Sequence, residues 1–170
     1  MKKLKLFTYI IFFLLIFSKV AYSTDKIAVI DLDSLLEKTN YGKKIIADLN
    51  LLNEQNLKSL KKIEADIKLN KKNIKKQKNL LSEEELANKV NKLNSDIIEF
   101  QKTKKNLVNS FNSKKKNKLD EFFKIIIPVI ETYINEKDIT LVFDKKNLFI
   151  ANKKNNITDE IVRTIDEKLK

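Results

Sequence analysis

The chain has 170 residues with 35 basic and 23 acidic side chains, no Cys, no His, one Gly and one Pro. Without Cys the fold has no disulfides, and without His it lacks the commonest zinc ligand and general base. A single Gly also excludes the glycine-rich loops that cradle nucleotide phosphates.

The N-terminus reads as a signal peptide. Lys2, Lys3 and Lys5 precede an apolar run over residues 6–17, and Ala21-Tyr22-Ser23 follows as a small-x-small cleavage site. The run is shorter than the ~20 residues that a helix needs to cross a bilayer. Cleavage after Ser23 leaves residues 24–170 as the exported chain. Lys2, Lys3, Lys5 and Lys19 depart with the leader, so the mature charge is 31 − 23 = +8.

Residues 26–31 read as a short buried strand, because Ile27, Ala28, Val29 and Ile30 are continuously apolar. Asp31 or Asp33 is placed to cap a short helix over residues 34–38. Gly42 then stands where a helix end needs a left-handed residue. From Lys43 onward Ile45, Leu49, Leu52, Leu60, Ile63, Ile67, Ile74 and Leu81 recur at spacings of a heptad seam, with Asn56, Asn70 and Gln77 in its gaps. A second seam runs through Leu86, Val90, Leu93, Ile97, Phe100, Leu107 and Phe111, with Lys104 in its polar slot. Ser82 and Glu85 between the seams have capping-box spacing, so the chain turns back there and the two helices pack antiparallel, each about 55–65 Å long.

Beyond Lys118 the apolar residues from Leu119 to Ile130 cover nearly every side of a helix, which predicts burial all round. Pro128 predicts a kink or break at Ile127. Residues 139–143 and 148–151 read as a β-hairpin turning at residues 144–147. Thr158 reads as the N-cap of a last helix with Ile161, Ile165 and Leu169 on one face and Ile157 stapled against Val162. The fold class is therefore α+β, mostly α. Residues 24–42 with 119–170 form a small β/α body, and residues 43–118 form a coiled-coil hairpin arm.

Lys26-Ile27-Ala28-Val29-Ile30-Asp31 near the mature start, Asp138-Ile139-Thr140-Leu141-Val142-Phe143-Asp144 near the end, and Ile157-Thr158-Asp159-Glu160-Ile161 opening the last helix resemble the Skp (OmpH) family of periplasmic chaperones. The resemblance implies a homotrimer whose β body carries three helical arms around a cavity. It also implies an ATP-independent holdase that shields unfolded outer-membrane β-barrel proteins in the periplasm. Some members of that family interact with lipopolysaccharide, and no motif here carries that site over residue by residue.

No constellation of carboxylate, Lys, Tyr or Ser supports catalysis, and helix capping accounts for Asp31 beside Asp33, so neither an enzyme nor a cofactor is expected. Residues 58–78 hold nine lysines against Glu64 and Asp66, a net +7. Such a face is what a solvated coiled coil needs, and it also steers toward acidic clients, anionic lipid or lipopolysaccharide. Nucleic acid is not expected, since no aromatics interleave with these lysines for base stacking. Leu51, Leu69 and Ile98 lie off the seams and, with Lys72, Lys75 and Lys76, are the client-binding candidates. Ile27, Val29, Phe122, Ile126, Ile130, Leu141 and Phe143 are the trimer-interface candidates. The competing function is a structural coiled-coil or adaptor protein of the cell envelope that docks one folded partner. Mass spectrometry of the exported protein is expected to find Thr24 as its first residue; retention of residues 6–17 would make it a membrane-anchored protein.

Overall fold

The structure is a computed structural model that describes residues 25–169. The signal peptide expected at residues 1–23 lies outside the described residues. Strand β1 (Lys26–Ile30) leads into helix α1 (Leu32–Lys38), helix α2 (Asn40–Gln77), helix α3 (Glu83–Glu136), strand β2 (Ile139–Asp144) and helix α4 (Thr158–Lys168), with single 3₁₀ turns at Lys145–Asn147 and Lys153–Asn155. The fold class read from the sequence is the one observed: long helices in a hairpin beside a small two-stranded sheet.

β1 and β2 pair in parallel, with Ile27 opposite Leu141 and Val29 opposite Phe143. The connection between parallel strands must cross over, and here the whole helical hairpin is that crossover. α2 and α3 have 38 and 54 residues, about 57 and 81 Å at 1.5 Å per residue. α3 therefore forms the outer leg of the arm and then continues into the body.

The body core gathers Ile30, Leu35, Ile45, Phe122, Ile126, Val129, Ile130, Ile161 and Ile165 from one strand and all four helices. Tyr41 stacks on Phe122 with ring centroids 6.1 Å apart, and Phe123 meets Phe122 edge-on at 5.5 Å. Complete burial of a side chain such as Phe122 or Ile161 contributes about 1.5–3 kcal/mol. This cluster holds the arm's two legs and the terminal helix together.

Local signals fix the element ends. Asp31 caps α1, its Oδ1 accepting from the Ser34 N–H at 3.1 Å. At the arm tip the capping box forms, with Ser82 Oγ accepting from the Glu85 N–H at 3.3 Å and Glu85 Oε2 accepting from the Ser82 N–H at 3.0 Å.

Several expectations are corrected. Gly42 is not left-handed; it lies inside the first turn of α2, whose N-cap is Thr39. A Cβ on Gly42 would stand 2.0 Å from the Leu36 carbonyl oxygen, so glycine is required there by the close passage of α1. The left-handed helix end is instead Asp138, with φ 52°, just past α3. Pro128 does not break α3, which runs unbroken through it. Lys124, whose carbonyl loses the N–H that Pro128 lacks, is exposed and has water to replace it.

Residues 148–151 form no strand; after β2 the chain makes two 3₁₀ turns, and the β-hairpin is replaced by the parallel pair and one bridge between Val29 and Asn156. Thr158 is the first residue of α4 and not its cap. Its hydroxyl donates to Asn156 Oδ1 at 2.6 Å and accepts from the Asp31 N–H at 3.0 Å, while Asn156 Oδ1 also takes the Thr158 N–H.

Gly42→Ala is expected to lower stability by about 3 kcal/mol, the upper range for forcing an extra group into packed structure. Ala47→Gly, on an exposed part of the same helix, is expected to cost about 1 kcal/mol. Urea denaturation of the two variants against wild type measures the difference.

Candidate functional site

The arm presents a seam inward and a charged surface outward. Along α2 the seam positions Leu49, Leu52, Asn56, Leu60, Ile63, Ile67 and Ile74 are half-buried as read from the sequence, and so is Leu81 in the turn beyond the helix, whereas Asn70 and Gln77 are exposed. In α3 the seam is rotated from its expected course. Leu86, Leu93, Phe100 and Leu107 are half-buried at seven-residue intervals, but Asp96 and Thr103 share the interface, while Val90, Ile97 and Lys104 are exposed.

The distal seam is consequently polar. Asn70, Asn73 and Gln77 face Lys89, Lys92 and Asp96 across an open groove of about 260 Å³, to which only Ile74 and Leu93 bring apolar bulk. Lys89 Nζ donates to Gln77 Oε1 at 3.0 Å, one of the ties across this end.

The client-binding candidates all lie on the outside. Leu51 and Leu69 are each 56% exposed and Ile98 is 70% exposed; Lys72, Lys75 and Lys76 are exposed as well. Leu51 and Leu69 are 18 residues apart, about five whole turns, so they fall on one line along α2. Lys58, Lys62, Lys72 and Lys76 follow the same line at helical spacing. Ile98 is on α3 and stands apart from it.

The trimer-interface candidates divide into two groups. Phe122, Ile126 and Ile130 are buried in the chain's own core, and Val29 is buried beneath the bridge to Asn156. Ile27, Leu141 and Phe143, at 44%, 50% and 40% exposure, remain open on the sheet. The structure adds three residues that periodicity did not single out: Ile127 on the outer side of α3, and Phe149 and Ile150, which protrude into solvent from the segment that forms no strand. The helix around Ile127 is thus buried on most sides but not on all.

Ion pairs hold this open face in place. Asp31 Oδ2 meets Lys145 Nζ at 3.0 Å, and Asp33 Oδ2 meets Lys146 Nζ at 2.6 Å, tying the exit of β2 to the start of α1. The Ser34 N–H and then the Lys145 ammonium hold the Asp31 carboxyl below its ordinary range. Burial raises the Tyr133 hydroxyl, beside which Lys137 lies 5.9 Å from the ring centroid. Among the described residues no group of three or more His, Cys, Asp or Glu could hold a metal, and no helix is long and apolar enough to cross a membrane.

The sequence matches the family model described as outer membrane protein (OmpH-like) over residues 26–165. The chain belongs to the OmpH-like family. A crystal structure from Caulobacter crescentus CB15, provisionally described as an OmpH-like outer membrane chaperone, matches the fold with a TM-score of 0.77 at 14% identity, over 86% of each chain. The search of curated proteins finds no match. The OmpH-like match takes in β1, the complete arm, β2 and most of α4, so it covers the body and the arm together.

Because the Asp31 carboxyl is stabilised as an anion in the folded state, its contribution is complete above the unfolded value near 3.8 and is lost as pH falls through the lower folded value. Asp31→Ala is therefore expected to cost about 1–2 kcal/mol at pH 7, as loss of a helix cap does. The gap to wild type should shrink below pH 3.8. Urea midpoints at neutral and acidic pH test this.

Proposed function

We propose that this OmpH-like protein is an ATP-independent holdase of the periplasm that binds unfolded outer-membrane β-barrel proteins and keeps them from aggregating in transit. The feature that carries this reading is the outer line of α2, where Leu51 and Leu69 stand exposed among lysines over most of the arm. Such a line suits an extended chain whose apolar segments alternate with polar ones. Each contact is weak, but repeated contacts act at high effective concentration once the first is made. Family membership supports the same reading, as does the description of the Caulobacter protein as an outer membrane chaperone.

Export through the signal peptide at residues 1–23 would place the protein where such clients pass. The lysines of residues 58–78 would also attract anionic lipid or lipopolysaccharide.

Self-association into a trimer completes the proposal. A two-stranded sheet is marginal alone, and its outward face leaves Ile27, Leu141 and Phe143 in water beside Phe149 and Ile150. Association would cover these residues and arrange several arms around one space. Because Ile126 belongs to the chain's own core, Leu141→Lys is the substitution that addresses assembly without first unfolding the subunit.

The test is dilution of an unrelated, urea-unfolded β-barrel membrane protein into buffer with this protein and no ATP. Aggregation is expected to be suppressed; an adaptor for one folded partner would leave it unchanged. Leu69→Ser and Lys72→Glu are each expected to weaken binding about two- to fivefold, as befits many weak contacts. Deleting residues 58–107 should abolish binding while light scattering still reports a trimer. Leu141→Lys is expected to yield monomers. Complete loss of binding from either arm substitution would point to a discrete docking site.

A further inference from the structure

The two legs of the arm enter the body differently. α3 passes into the core as one continuous helix, with Phe122, Ile126, Val129 and Ile130 buried along it. α2 is joined to α1 through Thr39 alone, an extended residue at φ −67° and ψ 148°. Close to this root the seam between the legs is open. Leu49 and Leu52 of α2 line a groove of about 400 Å³ whose α3 side is Lys114, Asn117, Lys118 and Glu121, and Leu49 also packs on the edge of the body core. At its base α2 is therefore held to α3 by Tyr41, Ile45 and Leu49 at the core, and the polar groove just beyond them adds little resistance to sliding.

α4 adds a second hold on this root. Asp166 Oδ1 accepts the N–H of Asn40, the first residue of α2, at 2.7 Å. Asp159 Oδ1 pairs with Lys38 Nζ, the last residue of α1, at 2.8 Å. Asp159 and Asp166 are seven residues apart and share one face of α4. Thr158 Oγ1 accepts the Asp31 N–H at the entry to α1, and Ile161 and Ile165 are fully buried in the core. α4 thus grips the α1–α2 elbow on both sides of Thr39. The Asp166 bond is a helix cap delivered from another helix. Thr39 Oγ1 caps the Gly42 N–H locally, and the carboxylate also faces the positive end of the α2 dipole.

We propose that α4 is a clasp that pins the root of α2 and thereby stiffens the arm, with Asp166 as its positioning residue. Bending a two-helix arm requires one helix to slide past the other. With α3 continuous and α2 pinned, that sliding is blocked; with the clasp open, the arm flexes at the groove beside Leu49 and Leu52. For a leg of about 57 Å, each ten degrees of bend at the root moves the tip by about 10 Å.

The chain contains no Cys, so spin labels at Leu80→Cys on the tip and Lys153→Cys on the body report one distance in the full protein, with labelled chain diluted into unlabelled chain. Asp166→Ala is expected to broaden the tip-to-body distance distribution at least twofold at unchanged helical content. Asp166→Asn keeps an oxygen acceptor for the Asn40 N–H and is expected to retain the native width. Adding Asn117→Leu to Asp166→Ala, which puts an apolar side chain opposite Leu49 and Leu52, is expected to narrow the distribution again. If Asp166→Ala loses helical content, Lys38→Met withdraws the exposed tie to Asp159 and is expected to broaden the distribution in the same direction. An unchanged width in Asp166→Ala, or in Lys38→Met should the first variant not fold, overturns the clasp.

Discussion

Parallel pairing of Lys26–Ile30 with Ile139–Asp144 requires the chain to leave one end of the sheet and return to the other. In most proteins a single helix makes that return. Here α1, α2 and α3 make it, and because α2 and α3 far exceed the span of a five- or six-residue strand, their excess length projects as an arm. The long α3 then has to be anchored where it comes back. Phe122, Ile126, Val129 and Ile130 do this by packing between the first helix turns and α4. The strand pair, the core and the arm are therefore one arrangement, and a change that loosened β1 from β2 would also release the base of the hairpin.

The body is well satisfied internally and yet incomplete at its surface. Its buried side-chain polar atoms all find partners among the described residues, and Thr39 and Thr158, although buried, spend their hydroxyls on helix ends. Outside this core the sheet leaves Leu141 and Phe143 in water, and the segment after it exposes Phe149 and Ile150. The arm's exposed leucines are spaced singly among lysines, which keeps them soluble. The body's are clustered. These are different solutions to exposing apolar surface, one compatible with transient contacts along a line and the other suited to lasting contact with a complementary face.

Much of this was legible in the sequence where a single local interaction decides the outcome. The Ser82 and Glu85 box, the Asp31 cap and the apolar positions of the Ile45-to-Leu81 seam each depend on residues within a few turns of their neighbours, and these formed, whereas Asn70 and Gln77 in the seam's gaps are exposed. The family-like ends likewise located both strands. Sequence failed where two physical causes share one signature. Glycine serves a left-handed turn or a close approach, and Gly42 serves the second. Proline in an apolar helix can break it, but Pro128 falls on an exposed side where water satisfies the freed carbonyl. Residues 148–151 have the composition of a strand, but they pair with neither strand of the sheet, and composition alone does not decide whether an apolar run finds a partner edge. In α3 Asp96 meets Asn70, Asn73 and Gln77 of α2, and Thr103 lies with Ile63 and Ile67, pairings that one helix's periodicity does not contain. The Asp166 bond to Asn40 spans 126 residues, beyond any local pattern.

The capped turn at Ser82 also bears on the order in which the chain assembles. Bringing β1 to β2 through an unstructured connection would first cost the entropy of closing a very long loop. A helical hairpin needs only contacts between residues near in sequence, and helices and short loops form in about a microsecond or less. Once the turn closes and the legs zip toward the body, the two strands are delivered to each other by a rod already folded, and the remaining search spans only the few residues between each helix and its strand. The distant pairing then has the kinetics of a local one, with the arm forming first and the sheet last.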